Sequence, residues 1–350
     1  MTLHLFQAIA GARLGGAEAF FERLALAFAR RGTRQTIALR RDPRRAALLR
    51  DAGIATRELS FRGPLDVATR LALWREIRRA GPDVILAWMS RAAAALPPRA
   101  LLGSAPPPRV GRLGGYYDLK YFCRCDWLVA NTPDIRAYVV RGGWPADRVV
   151  WLPNFVDATL AAPVDRDGLA TPGDAKLALA LGRLHPNKAF DVLLAAAAAR
   201  PGLYVWIAGE GPLEQALRAQ AARLGIADRV RFLGWRQDVA ALLAAADLLV
   251  CPSRHEPLGN VVIEAWAHGR PVVAAASQGP AQLLVDGETG LLVPVDDAEA
   301  LARAIGAVID DGARAAALAA AGRAAYEAGY TEGAVTQLYL DFFAMISGRR

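Results

Sequence analysis

The chain has 350 residues, 54% of them hydrophobic, and 42 Lys+Arg against 34 Asp+Glu give a formal net charge of +8. That is material for two packed domains, at roughly 150 residues per domain. No apolar run reaches the ~20 residues that span a bilayer, and three cysteines with four histidines suggest neither a disulfide framework nor a metal-ligand set. A cytoplasmic chain is therefore expected, with no cofactor and no structural metal.

The charge is uneven. Residues 1–165 hold 25 Lys+Arg against 14 Asp+Glu, a net of +11, and the remainder has a net of −3. A basic half suits an anionic partner, such as a phosphorylated acceptor or an anionic membrane surface. Nucleic acid fits worst, because no recognised binding module or aromatic-interleaved basic stripe is present.

In chain order, short β-rich apolar runs alternate with helical patterns, which predicts parallel sheets built from βαβ units. The first-half strands are expected at Leu3–Ile9, Gln35–Leu39, Val84–Trp88, Arg109–Arg112, Trp127–Ala130 and Val149–Leu152. A helix runs from near Gly16 to about Arg30. Residues 154–175 are rich in Pro, Gly, Asp and Ala and lack periodicity, as a linker does. The pattern then restarts with strands at Leu177–Leu181, Tyr204–Ala208, Val230–Leu233, Leu248–Cys251, Val272–Ala275 and Leu291–Val293. Three helices follow, near 297–310, 313–328 and 331–346. The expected fold is α/β: two Rossmann-like doubly wound parallel-sheet domains, over 1–165 and 172–330, facing across a cleft. A C-terminal helix of about 331–350 returns to the first. Such sheets bind ligands at the carboxyl ends of their strands.

Several loops at those ends carry chemistry. Gly11-Ala12-Arg13-Leu14-Gly15-Gly16-Ala17-Glu18 follows the first strand. Its glycines miss the Gly-x-Gly-x-x-Gly spacing and no P-loop Lys-Ser/Thr follows, so a dinucleotide is not expected. A turn presenting backbone N–H groups of Gly15 and Gly16 to the cleft fits better. Gly111-Arg112-Leu113-Gly114-Gly115-Tyr116-Tyr117-Asp118 brings a cation, two aromatics and an acid to the same edge. Arg112, Tyr116, Tyr117 and Asp118 are the acceptor-side candidates, with a structural loop as the plain alternative.

In the second half, Gly182-Arg183-Leu184-His185-Pro186-Asn187-Lys188 follows a strand and places two cations five residues apart. Arg grips two phosphate oxygens and Lys adds a compact charge, so the pair suits a diphosphate. Lys188 is one of only three lysines in the chain. Gly209 in Gly-Glu-Gly-Pro, then Gly234 and Trp235, end the next two strands, where Gly234 lets backbone approach a flat base. Glu256-Pro257-Leu258-Gly259-Asn260 leads into an apolar helix carrying Glu264. The first-turn N–H groups of such a helix attract phosphate. The two carboxylates suit neutral hydroxyls, as sugars and ribose offer. The spacing alone is equally that of two exposed acids. Asp165-Arg166-Asp167 has a metal-binding spacing but falls in the linker.

Together and in this order, the Gly-Gly-x-Glu turn, the Gly-Arg-Leu loop with its downstream Lys, Gly-Glu-Gly-Pro and Glu-x7-Glu resemble retaining glycosyltransferases of family 4, with the GT-B fold. The resemblance covers nearly the whole chain and is strongest over about 176–310. It implies that Arg183 and Lys188 hold the diphosphate of a nucleotide-sugar donor. It places Glu256 and the backbone of Leu258, Gly259 and Asn260 at the transferred sugar and phosphates, and Glu264 at the ribose. Arg183, Lys188 and Glu256 are the catalytic candidates. Gly15, Gly16, Gly182, Gly209, Gly234 and Trp235 complete the donor-binding set. Where resembling enzymes often carry a histidine segment, this chain has Trp88-Met89-Ser90-Arg91. The Gly114-Gly115-Tyr116-Tyr117-Asp118 variant resembles bacterial enzymes of envelope or surface glycan synthesis. The implied reaction is metal-independent, retaining sugar transfer to a glycan or glycolipid hydroxyl, by an enzyme peripheral to the inner face of the cytoplasmic membrane. A sugar-nucleotide epimerase of the same fold, or a non-catalytic nucleotide-sugar binding protein, is the alternative.

Overall fold

The computed structural model describes residues 3–12, 15–63 and 66–348; Arg13 and Leu14 of the first glycine turn lie outside them. The chain forms two compact units, Met1–Phe155 with Glu332–Arg350, and Val156–Thr331. The division falls earlier than the expected 165. Phe155 stacks edge-on against Phe20 at 5.4 Å in the first core, and Val156 already belongs to the second.

The first unit holds seven strands, β1 (His4–Ile9), β2 (Arg34–Arg40), β3 (Ala55–Leu59), β4 (Val84–Trp88), β5 (Arg109–Leu113), β6 (Trp127–Ala130) and β7 (Val149–Trp151). All pair in parallel in the order β3-β2-β1-β4-β5-β6-β7. β1 and β4 are buried along their whole length, because helices cover both faces of a doubly wound sheet. The edge strand β3 (ATREL) has one buried residue, and this polarity hid it from the apolar pattern. The helices are α1 (Gly16–Arg30), α2 (Pro43–Asp51), α3 (Val67–Ala80), α4 (Met89–Ala95) and α5 (Pro133–Arg141).

The second unit holds β8 (Lys176–Leu181), β9 (Leu203–Ala208), β10 (Val230–Phe232), β11 (Leu248–Cys251), β12 (Val272–Ala275) and β13 (Leu291–Val293), in the order β10-β9-β8-β11-β12-β13. Its helices are α6 (Phe190–Ala198), α7 (Glu214–Arg223), α8 (Val239–Ala245), α9 (Asn260–Ala267), α10 (Pro280–Leu283), α11 (Ala298–Ile309) and α12 (Gly312–Gly329). The chain then returns to the first unit as α13 (Glu332–Ser347).

α1 shows why α13 returns. Phe20, Phe21, Leu24 and Phe28 form its buried stripe, and each contributes about 1.5–3 kcal/mol when fully buried. Part of the surface that buries them comes from α13: Tyr339 and Phe343 lie 6.2 and 6.0 Å from Phe28, ring centre to ring centre. Arg30 and Glu332 close the outer edge with a 2.6 Å ion pair.

Candidate active site

In each sheet the chain order reverses once, between β1 and β4 and between β8 and β11. Loops leaving the two central strands part there, and the crevice at their carboxyl ends is where such sheets take ligands. In the second unit, Lys188 lies in the segment after β8 and Glu256 in the segment after β11. They form a direct ion pair across that reversal point. Burial works against the Lys188 charge, but Glu256 and then Glu264 among its neighbours outweigh it and lift the pKa above the ordinary lysine value. Lys188 is therefore a fixed cation at neutral pH.

The glycines around this pair are where backbones cross. Gly182 has φ +144°, and a Cβ there would sit 2.9 Å from Lys188 Cε. Gly209 has φ +150°, and its Cβ would lie 1.9 Å from the Gly182 carbonyl oxygen. The Gly182 and Leu184 N–H groups donate to the Ala208 and Glu210 carbonyls at 3.0 and 2.9 Å, and Gly209 N–H donates to Gly234 at 2.8 Å. Three strand-end loops are thus laced side by side. Arg183 is exposed, with no ion pair among the described residues. Trp235 is 51% exposed, and its backbone N–H donates to Glu210 Oε1 at 3.4 Å. An outward indole beside Gly234, which is held at φ +67° with nothing nearer than 3.9 Å to a Cβ, offers a flat surface to a flat ligand.

The Glu256 segment is shaped by its neighbours. Leu258 is buried, and Gly259 adopts the left-handed conformation at φ +86° that leads into α9 at Asn260. Glu264 follows one turn later and acts on the Lys188 charge. Two features escaped the sequence reading. Gln278 Oε1 accepts from Glu256 N–H at 3.3 Å, and Gly279 N–H donates to the Glu256 carbonyl at 2.7 Å. The strand-end rule would have found Gln278-Gly279-Pro280, which follows β12. The second feature is Arg254. It donates to the Pro186 carbonyl and to both oxygens of Asp191, and through Nε to Asp296 at 2.5 Å. No local signal in the sequence marks that link.

In the first unit, Gly15 and Gly16 open α1, with Gly15 extended at the N-cap position. Glu18 folds back and accepts the Ala12 N–H at 2.7 Å. A Cβ on Gly11 or Gly15 would meet its carboxylate at 2.4 or 2.3 Å, which explains the glycine spacing. Gly16 stands directly before Ala17 on the first helical turn.

The acceptor-side candidates divide. Arg112, expected as an acceptor-side cation at the strand-end cleft, is fully buried. Its guanidinium stacks 4.7 Å from the Phe20 ring centre and 4.8 Å from that of Trp88. It donates to Tyr339 Oη at 3.2 Å and to Asn154 Oδ1. An in-strand position on a sheet covered on both faces turned it into the core. Tyr116 and Tyr117 are half-buried; the Tyr116 hydroxyl donates to Asp134, and Tyr138 donates to the Tyr117 carbonyl at 2.9 Å. Asp118 is exposed, caps a short 3-10 turn and pairs with Lys120 at 2.5 Å. Asp165 caps its own turn, accepting the Asp167 and Gly168 N–H groups at 3.1 and 3.2 Å.

Two doubly wound units with glycine-laced loops at the carboxyl edges of their sheets have the architecture of the GT-B fold. Comparison with known proteins agrees. The profile of group 1 glycosyl transferases matches residues 175–311, and that of glycosyltransferase family 4 matches residues 14–160. The lipopolysaccharide core biosynthesis glycosyltransferases LpsE and LpsD of Rhizobium meliloti (strain 1021) are 39% and 37% identical. Each alignment covers 94% of this chain, and 96% and 95% of those proteins. The structure of Anabaena HepE in complex with UDP superposes with a TM-score of 0.85 at 23% identity, over 98% of this chain and all of that one. A Rickettsia africae glycosyltransferase gives 0.86 at 16% identity, over 99% and 98%. The chain belongs to the group 1, family 4 glycosyltransferases and is a sugar-transferring enzyme of the GT-B fold. No helix among the described residues is long and apolar enough to cross a membrane.

Proposed function

We propose that the enzyme moves a sugar, with retention at the anomeric carbon and without a metal, from a uridine diphosphate sugar to a hydroxyl of a lipopolysaccharide-core or related surface-glycan acceptor. The carrying observation is the Lys188–Glu256 pair at the reversal point of the second sheet. The likeness to LpsE and LpsD supports the acceptor class, and the HepE complex with UDP supports the base. On this reading Lys188 and the exposed Arg183 neutralise the departing diphosphate. Charge stabilisation of that kind contributes on the order of 10²–10³ in rate per donor. Lys188 rests on Glu256 until the donor arrives; Glu256 then accepts a hydrogen bond from a sugar hydroxyl. Glu264 takes the ribose hydroxyls, and Trp235 with the Gly234 backbone receives the base. The acceptor hydroxyl attacks the anomeric carbon from the face the diphosphate leaves, and the diphosphate takes its proton. The basic first unit suits an acceptor that carries anionic groups and lies at the cytoplasmic face of a membrane.

The test is a thermal-shift series with UDP, GDP, ADP and CMP, with and without Mg²⁺, followed by turnover of the stabilising nucleotide's sugars. A metal-independent rise with UDP, and sugar consumption only when an acceptor glycan is supplied, is expected. Consumption without acceptor would indicate an epimerase. Binding without any turnover would leave only a nucleotide-sugar binding protein.

A further inference from the structure

Among its described residues, the first unit holds two non-glycine residues in the left-handed backbone region, Phe61 at φ +46° and Met89 at φ +62°. That region is unfavourable for bulky side chains, and residues kept there cluster at ligand clamps and active sites. Both stand at the carboxyl edge of the sheet. Met89 directly follows β4, and Phe61 comes two residues after β3. Phe61 is buried, and its N–H donates to Thr69 Oγ1 at 3.2 Å. An arginine follows in each turn, Arg62 next to Phe61 and Arg91 two residues after Met89, and both are exposed.

Register brings these strand ends level. Arg40 of β2 pairs with Leu59 of β3, Leu39 with Ile9 of β1, and Ile9 with Trp88 of β4. The four neighbouring strands therefore end within one residue of each other. At ~4.8 Å per strand their ends form a strip about 14 Å wide. Arg40 and Arg41, also exposed, leave β2 inside that strip. None of the four arginines forms an ion pair among the described residues. Asp66 lies beside Arg62, but its carboxylate is taken up by the Arg62 and Thr69 N–H groups at 2.8 and 3.0 Å and by the Thr69 hydroxyl at 2.7 Å. Arg91 Nη1 lies 3.5 Å from the carbonyl oxygen of Ala10, so its guanidinium spans from the turn after β4 to the turn after β1, across the reversal point of this sheet. Lys188 crosses the matching point of the second sheet and meets Glu256 there. Arg91 meets no acid.

We propose that Arg91, with Arg40, Arg41 and Arg62 along the strip, binds a phosphate group carried by the acceptor. Guanidiniums take phosphate oxygens two at a time. Four cations facing one committed carboxylate favour a doubly charged phosphomonoester over a single carboxylate. Given the sugar-transfer reading above, on which this assignment rests, the donor diphosphate has Lys188 and Arg183 in the second unit, and the acceptor supplies the phosphate met here. The left-handed turns at Phe61 and Met89 fix where Arg62 and Arg91 leave the sheet. A phosphorylated glycan is thereby told from its neutral counterpart.

The experiment is titration calorimetry on the full chain saturated with UDP, so that the donor side is filled, using glucose 6-phosphate and, as its neutral match, glucose. The phosphosugar should bind, and glucose at least about tenfold more weakly. Arg91→Gln should weaken the phosphosugar at least about tenfold. The combined Arg40→Gln, Arg41→Gln, Arg62→Gln variant, which leaves α4 untouched, should lose as much. Arg79→Gln removes the same single charge as Arg91→Gln, but from the last turn of α3, which leads into the start of β4 at the opposite edge of the sheet. It should change nothing. Every variant should keep the parent's UDP-induced thermal shift. Failure of glucose 6-phosphate to bind beside UDP would overturn the proposal. So would equal losses in Arg79→Gln and Arg91→Gln, which would reduce the effect to net charge. A UDP shift lost from Arg91→Gln at an unchanged ligand-free midpoint would give this arginine to the donor diphosphate and overturn it too. Phosphosugar binding that depends on Arg91, with no turnover of any nucleotide sugar, would sink the sugar-transfer reading and leave the phosphate site standing.

Discussion

Arg254 grips Asp191 with two nitrogens, Nη1 at 2.9 Å from one carboxylate oxygen and Nη2 at 2.6 Å from the other. Asp191 stands three residues after Lys188 and Arg254 two before Glu256, so this fork ties together the two segments whose side chains pair across the sheet reversal. A third segment joins through Asp296, which is held at φ +64°. His255 N–H also donates to the Asn187 carbonyl at 3.2 Å.

Arg254→Ala should therefore lower kcat ten- to about a hundredfold, the scale on which a catalytic group displaced by about 1 Å loses rate. Arg254→Lys should not restore it, because a point charge cannot reproduce the two-pronged contact. Steady-state kinetics with the best donor decide this. Wild-type kcat in the alanine variant would show that the loops hold themselves.

The fork also fixes an acid response. Burial alone would raise the Asp191 carboxyl, but Arg254 overrides it and holds the carboxyl below the ordinary carboxylate range. A depressed folded-state pKa contributes stability above the unfolded value, near 4, which is lost as pH falls through the folded value. The difference in thermal midpoint between the parent and Asp191→Asn should hold steady from about pH 8 to about pH 5 and shrink below about pH 4. A difference that instead grows on acidification would contradict the sign.

Lys188→Ala should lower kcat on the order of 10²–10³-fold, with a smaller change in KM. Because its neighbours raise the Lys188 pKa, no loss of activity from this group should appear as pH rises to about 10. A pH–rate profile together with the variant's kinetics checks both. Near-parental turnover would remove Lys188 from the leaving group.

Gly209→Ala tests the crossing of the loops. The new Cβ would meet the Gly182 carbonyl oxygen at 1.9 Å in a backbone region that disfavours side chains. A loss of at least about 1–3 kcal/mol of stability is expected from the strained backbone alone, seen in denaturant unfolding. Gly225→Ala, at φ +67° with nothing within 4 Å of its Cβ, should lose only the left-handed backbone cost of about 1–2 kcal/mol.

Arg112→Leu leaves the Tyr339 hydroxyl and Asn154 without their shared donor. Leaving the buried Tyr339 hydroxyl without its donor costs about 1–3 kcal/mol. Thermal unfolding should show the loss, while the UDP shift proposed for the second unit should persist.

Most of the fold could be read from periodicity, because twelve of the thirteen strands are apolar runs between turn signals. β3 was not, since a sheet edge asks for little burial and ATREL supplies little. The strand-end rule found Lys188, Glu256 and the glycines, where local order carries the signal. It misplaced Arg112, because the last residue of a strand leading into a glycine turn was expected at the cleft, whereas Phe20, Trp88 and Tyr339 surround it in the core. Arg254 was invisible for the opposite reason. Its partners Asp191 and Asp296 are 63 and 42 residues away, and nothing in a linear pattern announces such a meeting.

The return of α13 sets an order of events during synthesis. The aromatic cluster of Phe20 and Phe28 is completed by Tyr339 and Phe343, which emerge only after all of Val156–Thr331. At about 5–20 residues per second, the nascent first unit waits about ten to forty seconds with that greasy flank uncovered. The second unit, continuous in the chain, can be finished meanwhile. The first unit is thus completed only after the second, and the waiting surface is where a chaperone would be recruited or where crowded nascent chains would stick together.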